Sequence, residues 1–140
     1  ELGAISAGAD PAVRETVRDY GRLVGRAFQI QDDYLEIFSN SFNMGKSLES
    51  DIVLGKKTFL IIRGLEKNAG IMKSALETAQ SDFKKGIKEI RNYLEDQGIK
   101  DETQNEITQI IQLADEKLNG LNIKMDNLYY FSGLINKRGH

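Results

Sequence analysis

One long helical pattern sets the fold class of this chain. Asp10 precedes Pro11, and the pair is a strong helix start because aspartate caps a helix while proline suits its first turn. From Pro11 apolar residues recur at helical spacing, which predicts a helix over 11–38. No stretch alternates apolar and polar residues as a strand would. The sequence therefore predicts an all-α fold, an antiparallel helical bundle with short loops.

Turn residues divide the rest of the chain into shorter helices. Residues 1–9 are expected to end a preceding helix that closes near Gly8, and residues 39–51 to form a loop. Further helices are predicted over 52–67, 71–80, 82–97, 101–119 and 126–137. The residues expected to start or stop them are Asn68-Ala69-Gly70, Gly98, Asp101 and Gly120.

Composition excludes several kinds of function. The formal net charge of -2 argues against nucleic-acid binding, and the absence of cysteine excludes disulfides and thiolate chemistry. The only histidine is His140, so imidazole chemistry is not expected. No apolar run approaches the roughly 18 residues of a membrane span, and a cytoplasmic location is expected. Because the chain opens with Glu1 rather than methionine, residues 1–140 are interpreted as one partial domain of a longer protein.

The end of the long helical pattern carries an acidic stripe. At roughly 100° per residue, Glu36 lies about 40° and Asp33 about 100° around the helix from Asp32. One or two such carboxylates can bind Mg²⁺ while water and phosphate complete its shell. Gly21 and Gly25 share the stripe, and each costs roughly 1 kcal/mol against alanine in a helix. They indicate either room for a hydrocarbon chain or close contact with another helix.

Basic residues follow the acids at short range. Gly45-Lys46 and Gly55-Lys56-Lys57-Thr58 each begin with glycine, as expected where the backbone turns tightly near a ligand, and Asp51 lies between them. Separately, each signal also fits a solvated face or an ordinary loop cation. The ordered series within one helix–loop–helix favours a site for a diphosphate and its cations.

These residues resemble a known family. The run Gly25–Glu36, with Gly45-Lys46, Asp51 and Gly55–Thr58 after it, is similar to the second aspartate-rich region of trans-isoprenyl diphosphate synthases. This is the polyprenyl synthetase family, which includes farnesyl and geranylgeranyl diphosphate synthases. The chain's two ends also resemble the family's helices, but the likeness is specific mainly from Tyr20 to Thr58.

The resemblance implies a fold and an activity. The chain would be the C-terminal part of an isoprenoid synthase fold, with the N-terminal half and its first aspartate-rich motif absent. The intact enzyme would condense an allylic diphosphate with isopentenyl diphosphate into a longer trans-isoprenyl diphosphate, with Mg²⁺ as cofactor. It would usually be a homodimer, and this chain alone is expected to be inactive.

The resemblance also assigns roles to individual residues. It gives Mg²⁺ binding to three carboxylates, Asp32, Asp33 and Glu36. It gives substrate binding to Phe28, Gln29, Lys46, Asp51 and Lys56. The two lysines of that set, Lys46 and Lys56, would be catalytic because they contact the diphosphate. The basic tail, Lys137 and Arg138, would lie over the second substrate.

Three departures from the family pattern keep other functions open. Glu36 stands where aspartate is usual, Glu49 where glycine is common, and Phe59 where proline often follows the lysine–threonine pair. Glu36 and Glu49 also fit a non-catalytic subunit of a heteromeric synthase. A helical interaction module and a terpene cyclase are further alternatives, although the lysine series favours chain elongation over cyclisation.

Overall fold

The computed structural model describes residues 2–39, 55–121 and 126–137, and every regular element within those ranges is a helix. The predicted all-α class is confirmed. The described ranges contain seven helices, which are α1 (Leu2–Ser6), α2 (Pro11–Phe38), α3 (Phe59–Lys67), α4 (Ala69–Ser81), α5 (Phe83–Asp96), α6 (Ile99–Asn119) and α7 (Asp126–Lys137). None of the described helices combines the length and the apolar character needed to cross a bilayer.

Helix α2 begins and ends where the sequence predicts. The Asp10 carboxylate accepts a hydrogen bond from the Ala12 N–H at 2.8 Å, as the predicted cap requires. The apolar side of the helix is buried, with Ala27, Ile30 and Ile37 at most 4% exposed. Burial of this face, rather than helix propensity alone, therefore fixes the helix in place.

The predicted helix over 52–67 is wrong at its start. Residues 52–54 lie outside the described ranges, and Gly55 to Thr58 are not helical. Gly55 has a φ of +65°, a left-handed conformation that glycine adopts without strain. Thr58 is extended, so α3 begins only at Phe59.

The connection between α3 and α4 is a single residue, Asn68. It ends α3, and its side-chain oxygen accepts hydrogen bonds from the N–H groups of Gly70 and Ile71 at 3.1 Å and 3.2 Å. The predicted break is confirmed at Asn68. However, α4 begins at Ala69 rather than at 71, because the asparagine caps the next helix directly.

Helix α6 also begins earlier than predicted. Gly98 has a φ of +70°, as expected of a residue that closes a helix. Its carbonyl accepts the Glu102 N–H at 3.0 Å, so the new helix starts at Ile99 and Asp101 is not its cap. Ile99 is 1% exposed, and its burial favours starting the helix there.

The chain divides into two compact units, Glu1–Gln31 with Asn105–His140 and Asp32–Gln104. In the second unit, α4 and α5 form an antiparallel hairpin. The start of α4 and the end of α5 meet at one point, because a Cβ on Gly64 would contact Met72 and Leu94. The core around this hairpin consists of Tyr34, Ile37, Leu60, Ile61, Met72, Ala75, Ala79, Ile87, Ile90, Tyr93, Leu94 and Ile99.

The first unit has its own small core. Tyr20, Ala114 and Leu118 are buried together. The Tyr20 hydroxyl donates a hydrogen bond to the Leu128 carbonyl, which ties α2 to α7 within this unit. Burial removes water from the Tyr20 phenol and raises its pKa.

Candidate functional site

The acidic residues predicted to bind metal lie near the end of α2. Asp32, Asp33 and Glu36 are all partly buried. The Oδ2 atom of Asp33 accepts a hydrogen bond from the backbone N–H of Phe59 at 2.9 Å. The structure therefore joins the acidic end of α2 to the first residue of α3, which directly follows the segment that contains Lys56.

These three carboxylates do not form a complete metal-binding site by themselves. Within the described ranges, no three acidic, histidine or cysteine side chains are grouped closely enough to hold an ion. Asp32 and Glu36 are nevertheless one helical turn apart and offer hard oxygen donors. Mg²⁺ commonly takes one or two carboxylates and completes its shell with phosphate and water. The donor set fits an ion that arrives with a diphosphate.

We call Gly55–Thr58 the lysine segment. Its tight turn at Gly55 is the one predicted before Lys56, and Lys56 and Lys57 are both exposed. Thr58 is 5% exposed, and its hydroxyl has no hydrogen-bond partner among the described residues. The segment thus presents two ammonium groups on a backbone that is buried at its C-terminal end.

Four predicted site residues fall wholly or partly outside the described part of the chain. Lys46, Asp51 and Arg138 lie outside the described residues, as does the side chain of Lys137. Gln29 is exposed on α2. The structure therefore joins Asp33 to Phe59, the residue after the lysine segment, and leaves the roles of the other predicted residues as predictions.

Two interactions that the sequence did not reveal support the acidic end of α2. Arg91 of α5 donates hydrogen bonds to the carbonyls of Ile37 and Ser39, the second at 3.0 Å. The Tyr34 hydroxyl accepts a hydrogen bond from Gln104 at 2.8 Å, and burial raises the pKa of Tyr34. Both contacts join residues more than fifty positions apart, so no local pattern could predict them.

An apolar groove lies in the first unit. Its volume is about 660 Å³, and it is lined by Tyr20, Gly21, Val24, Gly25, Phe28, Leu128, Phe131, Leu134 and Ile135. At Gly21 and Gly25 an added Cβ would meet no described atom within 4 Å. Of the two explanations for these glycines, open space is therefore favoured over close helix contact. Phe28 is 42% exposed at this groove.

The chain is similar to known proteins over most of its length. Residues 1–96 match the family described as Polyprenyl synthetase. The short chain isoprenyl diphosphate synthase of Methanothermobacter thermautotrophicus is 43% identical over 67 residues, which are 48% of this chain and 21% of that protein. Its namesake in Methanocaldococcus jannaschii is 34% identical over 111 residues, which are 79% of this chain and 30% of that protein.

A third relative is the geranylgeranyl diphosphate synthase of Methanosarcina mazei. It is 39% identical over 67 residues, or 48% of this chain and 21% of that protein. The chain thus spans between 21% and 30% of the length of these three relatives. No solved structure matches the chain significantly.

Proposed function

Because this chain belongs to the polyprenyl synthetase family, we propose that the intact protein is a Mg²⁺-dependent prenyltransferase. It condenses an allylic diphosphate with isopentenyl diphosphate into a longer trans-isoprenyl diphosphate. This chain contributes the second aspartate-rich motif. The observation that carries the proposal is the hydrogen bond from the Phe59 N–H to Asp33, because it brings the lysine segment up to the acidic end of α2.

Asp32 and Glu36 would hold Mg²⁺, and the resemblance extends this role to Asp33, whose carboxylate also accepts the Phe59 N–H. When bound, the metal would neutralise charge on the departing diphosphate. Lys56, which is exposed on the lysine segment, stabilises the same developing charge, and we propose the same role for Lys46. Asp51 supports these lysines.

The remaining roles concern the hydrocarbon and the second substrate. Phe28 and Gln29 contact the allylic substrate, and an apolar environment protects the allylic carbocation from water. The lining of the groove at Phe28 has the apolar character that this requires. Lys137 and Arg138 lie over isopentenyl diphosphate and balance its charge.

The test is product formation by the intact protein. With Mg²⁺, isopentenyl diphosphate and an allylic diphosphate, mass spectrometry should detect diphosphates longer by one or more isoprene units. Chelation of the metal should abolish them, and Asp32→Asn should reduce the rate at least about a hundredfold, as expected for the loss of a charge-stabilising group. Asp96→Asn is the matched control, since Asp96 is exposed on α5.

Other products would identify another function. Hydrocarbons in place of longer diphosphates would refute elongation and support a terpene cyclase. Glu36 and Glu49 favour one more alternative, a non-catalytic subunit of a heteromeric synthase, because they depart from the family's usual residues. That alternative predicts no turnover by the protein alone and turnover when a second synthase subunit is added.

Assembly and location complete the proposal. We propose that the intact enzyme is a cytoplasmic homodimer. Light scattering on the intact protein should give twice the mass of one chain, and a monomer at micromolar concentration would contradict this part alone. Fractionation of the producing cells would test the location.

A further inference from the structure

The N-terminus of α3 is capped by a residue from another helix. Thr58 occupies the cap position, yet its side chain makes no capping hydrogen bond. Instead, the Asp33 carboxylate accepts the Phe59 N–H across 26 positions of sequence. The first N–H groups of a helix have no partner within the helix. Asp33 therefore accepts the hydrogen bond that the Thr58 side chain does not accept.

Burial and charge both favour this external cap. Leu60 and Ile61, which follow Phe59, are 0% and 3% exposed, so water has poor access to this helix end. The first turn of α3 contains no acidic residue of its own. A carboxylate at this position makes a charge-assisted hydrogen bond and complements the positive end of the helix dipole.

The same contact restrains the lysine segment. At one end of this segment the backbone makes its left-handed turn at Gly55. At the other end, Thr58 is buried and Phe59 is bound to Asp33. Lys56 and Lys57 lie between the turn at Gly55 and this anchored end. Losing the Asp33 bond would release the anchored end.

We propose that Asp33 is a positioning residue rather than the metal ligand that the resemblance implies. It fixes the start of α3 and through it the lysine segment, and Asp32 and Glu36 remain as the carboxylates for Mg²⁺. The consequence of this restraint for ligand binding rests on the proposed function, but the restraint itself does not. The role depends on an oxygen that accepts a hydrogen bond, whereas a metal ligand depends on negative charge. Asparagine keeps the accepting oxygen and removes the charge, so the two roles can be separated by substitution.

The first measurement is amide hydrogen exchange in the intact protein. Asp33→Ala should raise the exchange rate of the Phe59 amide at least about tenfold, because a hydrogen bond to a charged group is lost. Asp33→Asn should raise it by no more than about fivefold, since only the charge is removed. Asp96→Ala, an exposed site on α5, should leave it unchanged. Equal exchange in Asp33→Ala and wild type would overturn the proposal.

The second measurement is the binding of inorganic diphosphate with Mg²⁺ by calorimetry. Asp33→Ala should weaken binding about tenfold, in step with the loosened segment, and Asp33→Asn should retain most of the affinity. If Asp33→Asn binds as weakly as Asp33→Ala while the Phe59 amide stays protected, Asp33 acts through its charge and the proposal is wrong.

A failure of the proposed function would look different. In that case wild-type protein would not bind the metal–diphosphate pair at all. The exchange rates of the Lys56 and Lys57 amides would still decide the positioning role. Faster exchange at both in Asp33→Ala would support it, and unchanged rates would overturn it. Far-ultraviolet circular dichroism would show whether each variant keeps its helices.

Discussion

Helices α4 and α5 approach so closely at Gly86 that a methyl group has no room there. A Cβ at Gly86 would lie 2.2 Å from both the Cα and the backbone nitrogen of Ala79. Ordinary contact begins at 3.4 Å, so the two helices must separate by about 1.2 Å, the difference between these distances. Rotating a side chain cannot relieve a contact with backbone. The steric clash in Gly86→Ala should therefore cost about 3 kcal/mol of folding stability, near the upper end of the range for overpacking.

Helix propensity offsets part of that loss. Alanine in place of glycine favours a helix by roughly 1 kcal/mol, so Gly86→Ala should lower the free energy of unfolding by about 2 kcal/mol. Urea unfolding followed by circular dichroism measures it. Gly25→Ala is the matched control, because its Cβ meets no described atom within 4 Å, and it should raise the stability by up to about 1 kcal/mol. The reasoning is refuted if Gly86→Ala is as stable as wild type.

Three further substitutions test other parts of the structure. Lys56→Ala should weaken binding of Mg²⁺ and diphosphate about tenfold in calorimetry while Lys57→Ala changes it little, and equal losses would contradict the assignment of Lys56. Tyr93→Phe removes a buried 2.9 Å hydrogen bond to the Gly64 carbonyl. It should cost about 1 kcal/mol in urea unfolding, because that carbonyl keeps its backbone bond at the end of α3. Burial raises the pKa of Tyr34 above 10.0, so the folded state keeps a proton that the unfolded chain loses. The free energy of unfolding should fall as pH rises past that value, and Tyr34→Phe should show a smaller decline.

Local signals predicted most of the helices. Asp10 and Pro11 marked the start of α2, and Gly98 marked the end of α5, because each acts through its own backbone or its immediate neighbours. The break at Asn68 was predicted for the same reason. The start of α6 was misplaced because an aspartate is favourable anywhere in a first turn, and only the burial of Ile99 decided the boundary.

The candidate site was only partly predictable. Residue type and spacing indicated the acids of α2 and the glycine turn before Lys56, but for Gly25 they fitted open space and close helix contact equally well. The hydrogen bond between Asp33 and Phe59 depends on how α2 and α3 pack, and neither residue carries a local sign of it. Arg91, which holds the end of α2, lies even farther from its partner, 52 positions from Ser39. Tertiary contacts of this kind leave no periodic pattern in the sequence, so sequence analysis cannot predict them.

The two glycines on the groove have an implication for sequence change. At Gly21 and Gly25 alanine would fit the space and favour the helix, so folding stability alone selects against glycine. A lineage under no constraint but stability would be expected to replace both. Relatives that keep both glycines would be expected to need a wide groove. Relatives with larger side chains at these positions would be expected to bind a narrower molecule in it. Ranking homologues by side-chain volume at these two positions would therefore estimate the width of the groove, and so the size of the molecule that each protein binds there.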